Sequence, residues 1–362
     1  MKAVRLVVFL GCIAAALWSE STPRESLLVL SKGDHTLVIV DPSTLKVVAK
    51  APVGKDPHEV VASADGKVAY VSIYGGGAYN TIDRINLISQ KVMTSIDLGP
   101  LRGPHGLMFL GGKVWFTAEA AKAIGSFDPA KGAVDWIMGT GQDRTHMIFV
   151  TEDMQRIFTT NVSSATVSIL EKGAPSGFGG PPPGPPPGQG PGGPPPGGPP
   201  PGGPRGPMGP PGGNWEQTVI PVGRGDEGFD VSPSGKELWT ANAQDGTVSI
   251  IDLAAKKVTD TLQANVRGAN RLKFTPDGKL VLITSLSGAG LAILDSATHK
   301  ELKRIPIARG AAGIQMQPDG ARAFIACTGE GYVAVLDLKT LEIAAKIDAG
   351  PGPDGLAWSV RH

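Results

Sequence analysis

The chain has 362 residues, 41% of them hydrophobic, which is enough to bury a sizeable core and excludes a disordered or fibrous protein. Its 34 Lys and Arg against 33 Asp and Glu leave a formal charge of +1, so the electrostatic basis for strong nucleic-acid binding is missing. The 50 Gly and 32 Pro are together about twice average usage, and their placement organises the chain.

At the start, Lys2 and Arg5 precede an apolar run from Leu6 to Trp18, followed by polar SEST. Thirteen residues are too few to span a bilayer core, so residues 1–19 read as a secretory signal peptide and not as a transmembrane segment. The mature chain, 20–362, is therefore expected to be exported, either to the periplasm or outside the cell. Loss of Cys12 leaves Cys327 as the sole cysteine, so no internal disulfide can form and stability must come from packing. Cys327 ends the apolar run AFIAC and reads as a small buried hydrophobe.

Six tight-turn signals recur along the rest of the chain: Asp65-Gly66, Gly111-Gly112, Asp153-Met154, Ser234-Gly235, Asp277-Gly278 and Asp319-Gly320. Their second residues are 46, 42, 81, 43 and 42 apart, and the long gap contains a 39-residue insert. A period near 42 with strand-like patterning predicts a β-propeller. Each period carries four strand signals; in the fifth they are GFDVS, ELWTAN, TVSIID and KKVTDTL, with SPSGK turning between the first two. Third strands number seven: VIVD, DRIN, GSFD, SILE, SIID, AILD and AVLD. Five end in Asp (Asp41, Asp128, Asp252, Asp295, Asp337), with Asn86 and Glu171 at the other two, placed to accept bonds from the N–H groups of the following turn.

The expected fold is thus all-β, seven four-stranded antiparallel blades in a ring. LLVLS near the start matches a second strand and GLAWSV at the end a first strand, so segment 355–360 is expected to complete the N-terminal blade, 26–52. That closure removes free sheet edges.

The insert runs from Pro175 to Gly213 and holds 18 Pro and 16 Gly in 39 residues, a composition that cannot form helix or sheet ladders. Its three Gly-X-Y triplets, at 203–211, are too few for a triple helix. It falls between the third and fourth strands of blade four, where lengthening a turn costs only about 2 kcal/mol of closure entropy. It reads as a solvated spacer or a tether to the cell wall.

In a propeller the residues that open each inner strand converge on the central channel. Counting back from the turn markers, and from the end of the chain, places His58, His105, His146, Glu227, Asn270, Ala312 and Asp354 in one ring. The loop after each second strand reaches the same face and adds Tyr74, Glu119, Asn161 and Asn242. Neutral imidazoles with a carboxylate are the donors a divalent metal needs, which makes His58, His146 and Glu119 candidate ligands. Tyr74, Glu227, Asn270 and Asp354 are candidates for a ligand-binding rim. A structural alternative stands beside this, since a His at a strand entrance can simply bond a neighbouring loop, and stacked sheets, about 10 Å apart, would leave neighbouring ring residues well separated.

The segment WTANAQDGTVSIIDLAAKKV at 239–258 resembles the repeat of the YVTN family of seven-bladed propellers, YVSIY at 70–74 echoes one of its strands, and the likeness extends more loosely over 26–360. The resemblance implies the fold and hardly any function, because propellers host many unrelated activities. GPHGLMFLGGKVWFTAEAAKAIGSFDPAKG at 103–132 is similar to the repeat of streptogramin (virginiamycin B) lyases. That second resemblance implies His105 as general base and Glu119 and His58 as ligands of Mg2+, in a lyase that opens a lactone. The further acidic residue of that motif corresponds to Gly103 here. Two expectations follow: a binding module that takes a small molecule or a protein at its His-lined face, or a metal-assisted lyase or lactonase working at the same face.

Overall fold

A computed structural model describes residues 21–173, 215–288, 290–307 and 309–362. The expected signal peptide and the Pro/Gly insert lie outside these residues. No helix among them is long and apolar enough to cross a membrane.

The described residues form seven four-stranded antiparallel sheets. Blade one combines Glu25–Ser31, Thr36–Asp41 and Lys46–Pro52 with the last strand of the chain, Pro353–Val360, which takes the inner position. The other inner strands are Pro57–Ala62, Pro104–Leu110, Thr145–Val150, Asp226–Val231, Ala269–Phe274 and Ala311–Met316, in blades two to seven. Closure is as the two chain ends predict: Leu27 pairs with Trp358 and Leu28 with Ala357. In blade four the strand Thr166–Lys172 is followed by Trp215–Pro221, with Lys172 paired to Trp215.

The apolar runs of the strands are continuous because both faces of each sheet are covered. In blade one, Leu28, Leu30, Leu37 and Ile39 pack on Val60, Val71 and Ile85 of blade two. The alternate residues Leu27, Val29, Val38 and Val40 pack the other way, on Phe324 and Val335 of blade seven. Period two therefore sorts each strand between two neighbours, and a one-residue slip would exchange them.

The turn chemistry is as the repeat requires. All six turn markers end in a residue with positive φ, five glycines and Met154, between 53° and 77°. The residues closing the third strands accept from the next turn: Asp252 Oδ1 takes the N–H of Ala254 (2.8 Å) and Ala255 (2.7 Å), and Asn86 Oδ1 those of Ile88 (3.0 Å) and Ser89 (2.8 Å). Glu171, one carbon longer, instead pairs with Lys256 of the next blade.

One irregularity recurs in every blade. Each inner strand shifts register by one residue against its neighbour just after its first residue, between Pro57 and Val60, Pro104 and Leu107, or Asp226 and Gly228, for example. Bulges re-aim side chains, and here they fall on the second and third residues of all seven inner strands.

Candidate functional site

The second residues of the seven inner strands are His58, His105, His146, Glu227, Asn270, Ala312 and Asp354. They are the ring drawn from the turn spacing, and the bulges turn them to the channel mouth. The third residue is glycine in four blades, and each faces the backbone carbonyl of the next ring residue: a Cβ on Gly106 would lie 2.6 Å from His146 O, and one on Gly313 only 2.1 Å from Asp354 O. Missing side chains let the inner strands close up, so ring residues approach far nearer than sheet spacing suggests. The imidazoles of His105 and His146 are 3.8 Å apart between centroids and those of His58 and His105 4.7 Å.

Glu119 joins this group from a short 3-10 turn, Glu119–Ala121, that follows the second strand of blade three. Side-chain donor atoms of His105, Glu119 and His146 lie within 4.8 Å of one another, and all three residues are buried. His146 Nδ1 bonds Glu119 Oε1, while Tyr74 donates to Glu119 Oε2 at 2.6 Å. Burial pushes the Glu119 carboxyl up, but the bonds from His146 and Tyr74 and the charge of Arg144 outweigh it and hold the carboxyl below its ordinary range. An ionised Glu119 requires Nδ1 of His146 to carry a proton, which leaves Nε2 as the nitrogen turned away from the carboxylate. That Nε2 and Nδ1 of His105 are buried without a hydrogen-bond partner. Burial, reinforced by the neighbouring His146, His58, Arg271 and Lys32, drives the His105 pKa well below normal, so this ring is neutral at physiological pH. The same burial, with the bond to Glu119, pushes the Tyr74 hydroxyl up, so it stays a donor.

His58 lies outside the three-residue group. Its Nε2 meets Asp56 Oδ1 at 3.0 Å and Lys32 Nζ at 2.9 Å, and Lys32 in turn pairs with Asp354 at 2.9 Å. Glu227 meets Arg144 at 3.3 Å and takes a bond from Asn270 at 3.1 Å. Ala312 adds no polar group. Asn161 and Asn242 are not on the rim: both are fully buried, their amides bonded to Ser168 and Ser249 at 2.9 Å.

Sequence reasoning did not find Lys32, Asp56, Glu59, Arg144 or Arg271. Arg271 reaches across the channel from blade six to the Glu59 carboxylate of blade two and forms the floor of the mouth. Beneath it the channel opens to a cavity of about 360 Å³ walled by Leu107, Ile148, Ile314 and Leu356. A charged residue inside an apolar inner strand, as in ANRLKF and HEVVA, was the available signal. Asp56, Glu59, Glu119, Glu227 and Asp354 thus share the mouth with Lys32, Arg144 and Arg271.

No family model matches the chain, and no curated protein matches it in sequence. Solved structures do share its architecture. A functionally unknown protein from Desulfotomaculum acetoxidans superposes with TM-score 0.70 at 12% identity, covering 93% of this chain and 99% of that one. A Bacteroides uniformis protein described as a putative 6-phosphogluconolactonase gives 0.67 at 14%, over 93% and 100%. The hydrazine synthase of Kuenenia stuttgartiensis gives 0.61 at 16%, over 83% and 89%. At such identities the likeness establishes the fold alone: the chain is a seven-bladed β-propeller.

Proposed function

We propose that the protein is an exported propeller of the YVTN type that binds a ligand at its channel mouth, and that a divalent metal held by His105, His146 and Glu119 anchors that ligand. The observation that carries this reading is the pair of buried ring nitrogens without partners, His105 Nδ1 and His146 Nε2, beside a carboxylate held ionised. Buried polar atoms are rarely left unpaired, and a metal would satisfy both. Two imidazoles and one carboxylate are a borderline donor set that suits Zn2+ or a similar transition ion; Mg2+ prefers oxygen ligands, so the Mg2+ implied by the lyase resemblance fits poorly.

Metal content of the purified protein, measured by inductively coupled plasma mass spectrometry beside His105→Ala and His146→Ala, tests this directly. Near-stoichiometric Zn2+ or another transition ion in the wild type, lost in both variants, is expected. Absence of metal even after equilibrium dialysis against Zn2+, Cu2+ and Mg2+ would return these histidines to a structural role.

A second reading, lactone hydrolysis or elimination at the same mouth, is favoured by one observation: His105 is held neutral and unpaired, the state a general base needs. In this reading His105 is not a metal ligand, and turnover of simple lactones that is abolished in His105→Ala while bound metal is retained would move the assignment from binding module to enzyme.

A further inference from the structure

Beside the mouth lies a second buried polar group that the metal reading does not use. Asp226 opens the inner strand of blade five and is fully buried. It is the only acid at this position, since the other inner strands open with Pro, Thr or Ala. Its Oδ2 accepts the backbone N–H of Asn161 in blade four at 3.1 Å, while its Oδ1 has no partner. Directly across the ladder stands Asn242, and its Oδ1 is also buried without a partner. Paired residues of antiparallel strands share a face with Cβ atoms roughly 4.5–5.5 Å apart, so the two unsatisfied oxygens belong to neighbouring side chains.

Blade four shows what this geometry wants. There the equivalent pair is Thr145 and Asn161, and the Thr145 hydroxyl donates to Asn161 Oδ1 at 2.9 Å. The two asparagines are otherwise held alike: Asn161 Nδ2 donates to Thr166 Oγ1 (3.1 Å) and Ser168 Oγ (2.9 Å), Asn242 Nδ2 to Thr247 Oγ1 (2.8 Å) and Ser249 Oγ (2.9 Å). Each amide nitrogen is thereby committed, and each Oδ1 is left facing the first residue of the inner strand for a donor. An ionised carboxylate has none to give. A carboxylic acid does.

We propose that Asp226 is a neutral carboxylic acid in the folded protein, its hydroxyl donating to Asn242 Oδ1, and that this proton is a clasp between the first two strands of blade five beneath the channel mouth, while Oδ2 keeps its bond from Asn161 of blade four. Electrostatics agree. Burial pushes the Asp226 carboxyl up to about 8, with the Glu227 charge on the same strand adding to the rise. Against it work the bond from Asn161 of blade four, the residue's own N–H and the charge of Arg144, whose loop enters blade four. The clasp is independent of the metal reading, because none of the residues it uses is a candidate ligand.

The consequence is a defined dependence on pH. Between the ordinary aspartate range and about 8 the folded protein keeps this proton and the unfolded chain has lost it, so folding binds a proton. The stability due to the clasp is full below about pH 4, declines as pH rises, and has gone by about pH 8, where the acid ionises in the folded state as well.

Thermal melts of the full chain and of Asp226→Asn across this range test the proposal. The amide keeps both bonds, donating to Asn242 and accepting from Asn161, but cannot titrate. The melting temperature of wild type relative to Asp226→Asn should therefore fall steadily from about pH 4 to about pH 8 and level off beyond. Parallel melting curves would overturn the proposal. So would a carboxyl carbon signal, assigned to Asp226 by its absence from the variant, that titrates in the ordinary aspartate range in the folded wild type. Should the stability difference depend on added Na+ or Ca2+ instead of pH, a cation and not a proton lies between the two oxygens, and the clasp fails.

Discussion

At the residue scale the mouth is governed by which partner each polar atom finds. Glu119 is the hinge of the group, with one oxygen on His146 and the other on Tyr74. A hydroxyl donating to an ionised carboxylate is worth roughly 1.5–3 kcal/mol when buried. Tyr74→Phe should therefore lower unfolding stability by about that amount at neutral pH, measured by urea melts. The sign with pH follows from the lowered Glu119 pKa: the stabilisation of the carboxylate is present above the ordinary glutamate range and is lost as pH falls through the folded value. The Tyr74→Phe deficit should accordingly shrink in acid; a deficit that stays constant to low pH would mean that Glu119 is not held ionised by this bond. The residue scale is also where the sequence was least legible. Turn spacing put His58, His105 and His146 at equivalent positions and made His58, His146 and Glu119 candidate ligands, while the lyase resemblance set His105 and His58 with Glu119. The fold brings His105 and His146 to Glu119 and leaves His58 out, because Lys32, Asp56 and Asp354 take up His58. The spacing does place Asp354 in the ring, but Lys32 and Asp56 lie in loops that no repeat aligns, so nothing in the spacing announces them.

At the scale of the element the inner strand is the unit that makes a site. Its hydrophobic pattern was readable, as was the turn after it, because both obey the repeat. The bulge was not, since it adds no residue type of its own; its only trace is a glycine third residue in four of the seven strands, Gly106, Gly228, Gly313 and Gly355. The close approach it permits explains how three histidines of successive blades come within ring contact. Gly313→Ala would place a methyl 2.1 Å from the Asp354 carbonyl, with fixed backbone as the obstacle. Overpacking of this kind costs roughly 1–3 kcal/mol, and the strand must shift to relieve it. Gly139 offers the contrast: it ends the outer strand of blade three, and nothing lies within 4 Å of a Cβ there. Gly139→Ala should be neutral or slightly stabilising, since it removes only freedom of the unfolded chain. Equal melting midpoints for the two variants would mean that the inner strands are not in contact through their glycines.

At the scale of the whole molecule, a ring of seven similar sheets has one weak point, the blade boundary where the chain begins and ends. Here the boundary is moved inside a blade: Pro353–Val360 is hydrogen-bonded to Glu25–Ser31 and packs between blades seven and two. This was legible from the sequence, because LLVLS lacks a first strand and GLAWSV lacks the other three. Removing residues 353–362 would strip Leu356, Ala357 and Trp358 from the core, at roughly 1.5–3 kcal/mol for each large side chain, and expose the edge of Glu25–Ser31. A fall in melting temperature on the order of 10 °C or more is expected. Loss of stability alone would not separate closure from general damage, so the peptide of residues 353–362 should be added back in trans. If the strand acts by completing blade one, the peptide restores the melt in a saturable manner, and a peptide with Trp358 replaced by Asp restores little. A truncated protein that melts as the full chain does, or one that the peptide leaves unchanged, would show that the ring does not depend on this strand. Because Asp354 sits in that strand and pairs with Lys32 at the mouth, the same truncation should also remove one carboxylate from the cluster around His58, so closure of the ring and composition of the site are set by one segment.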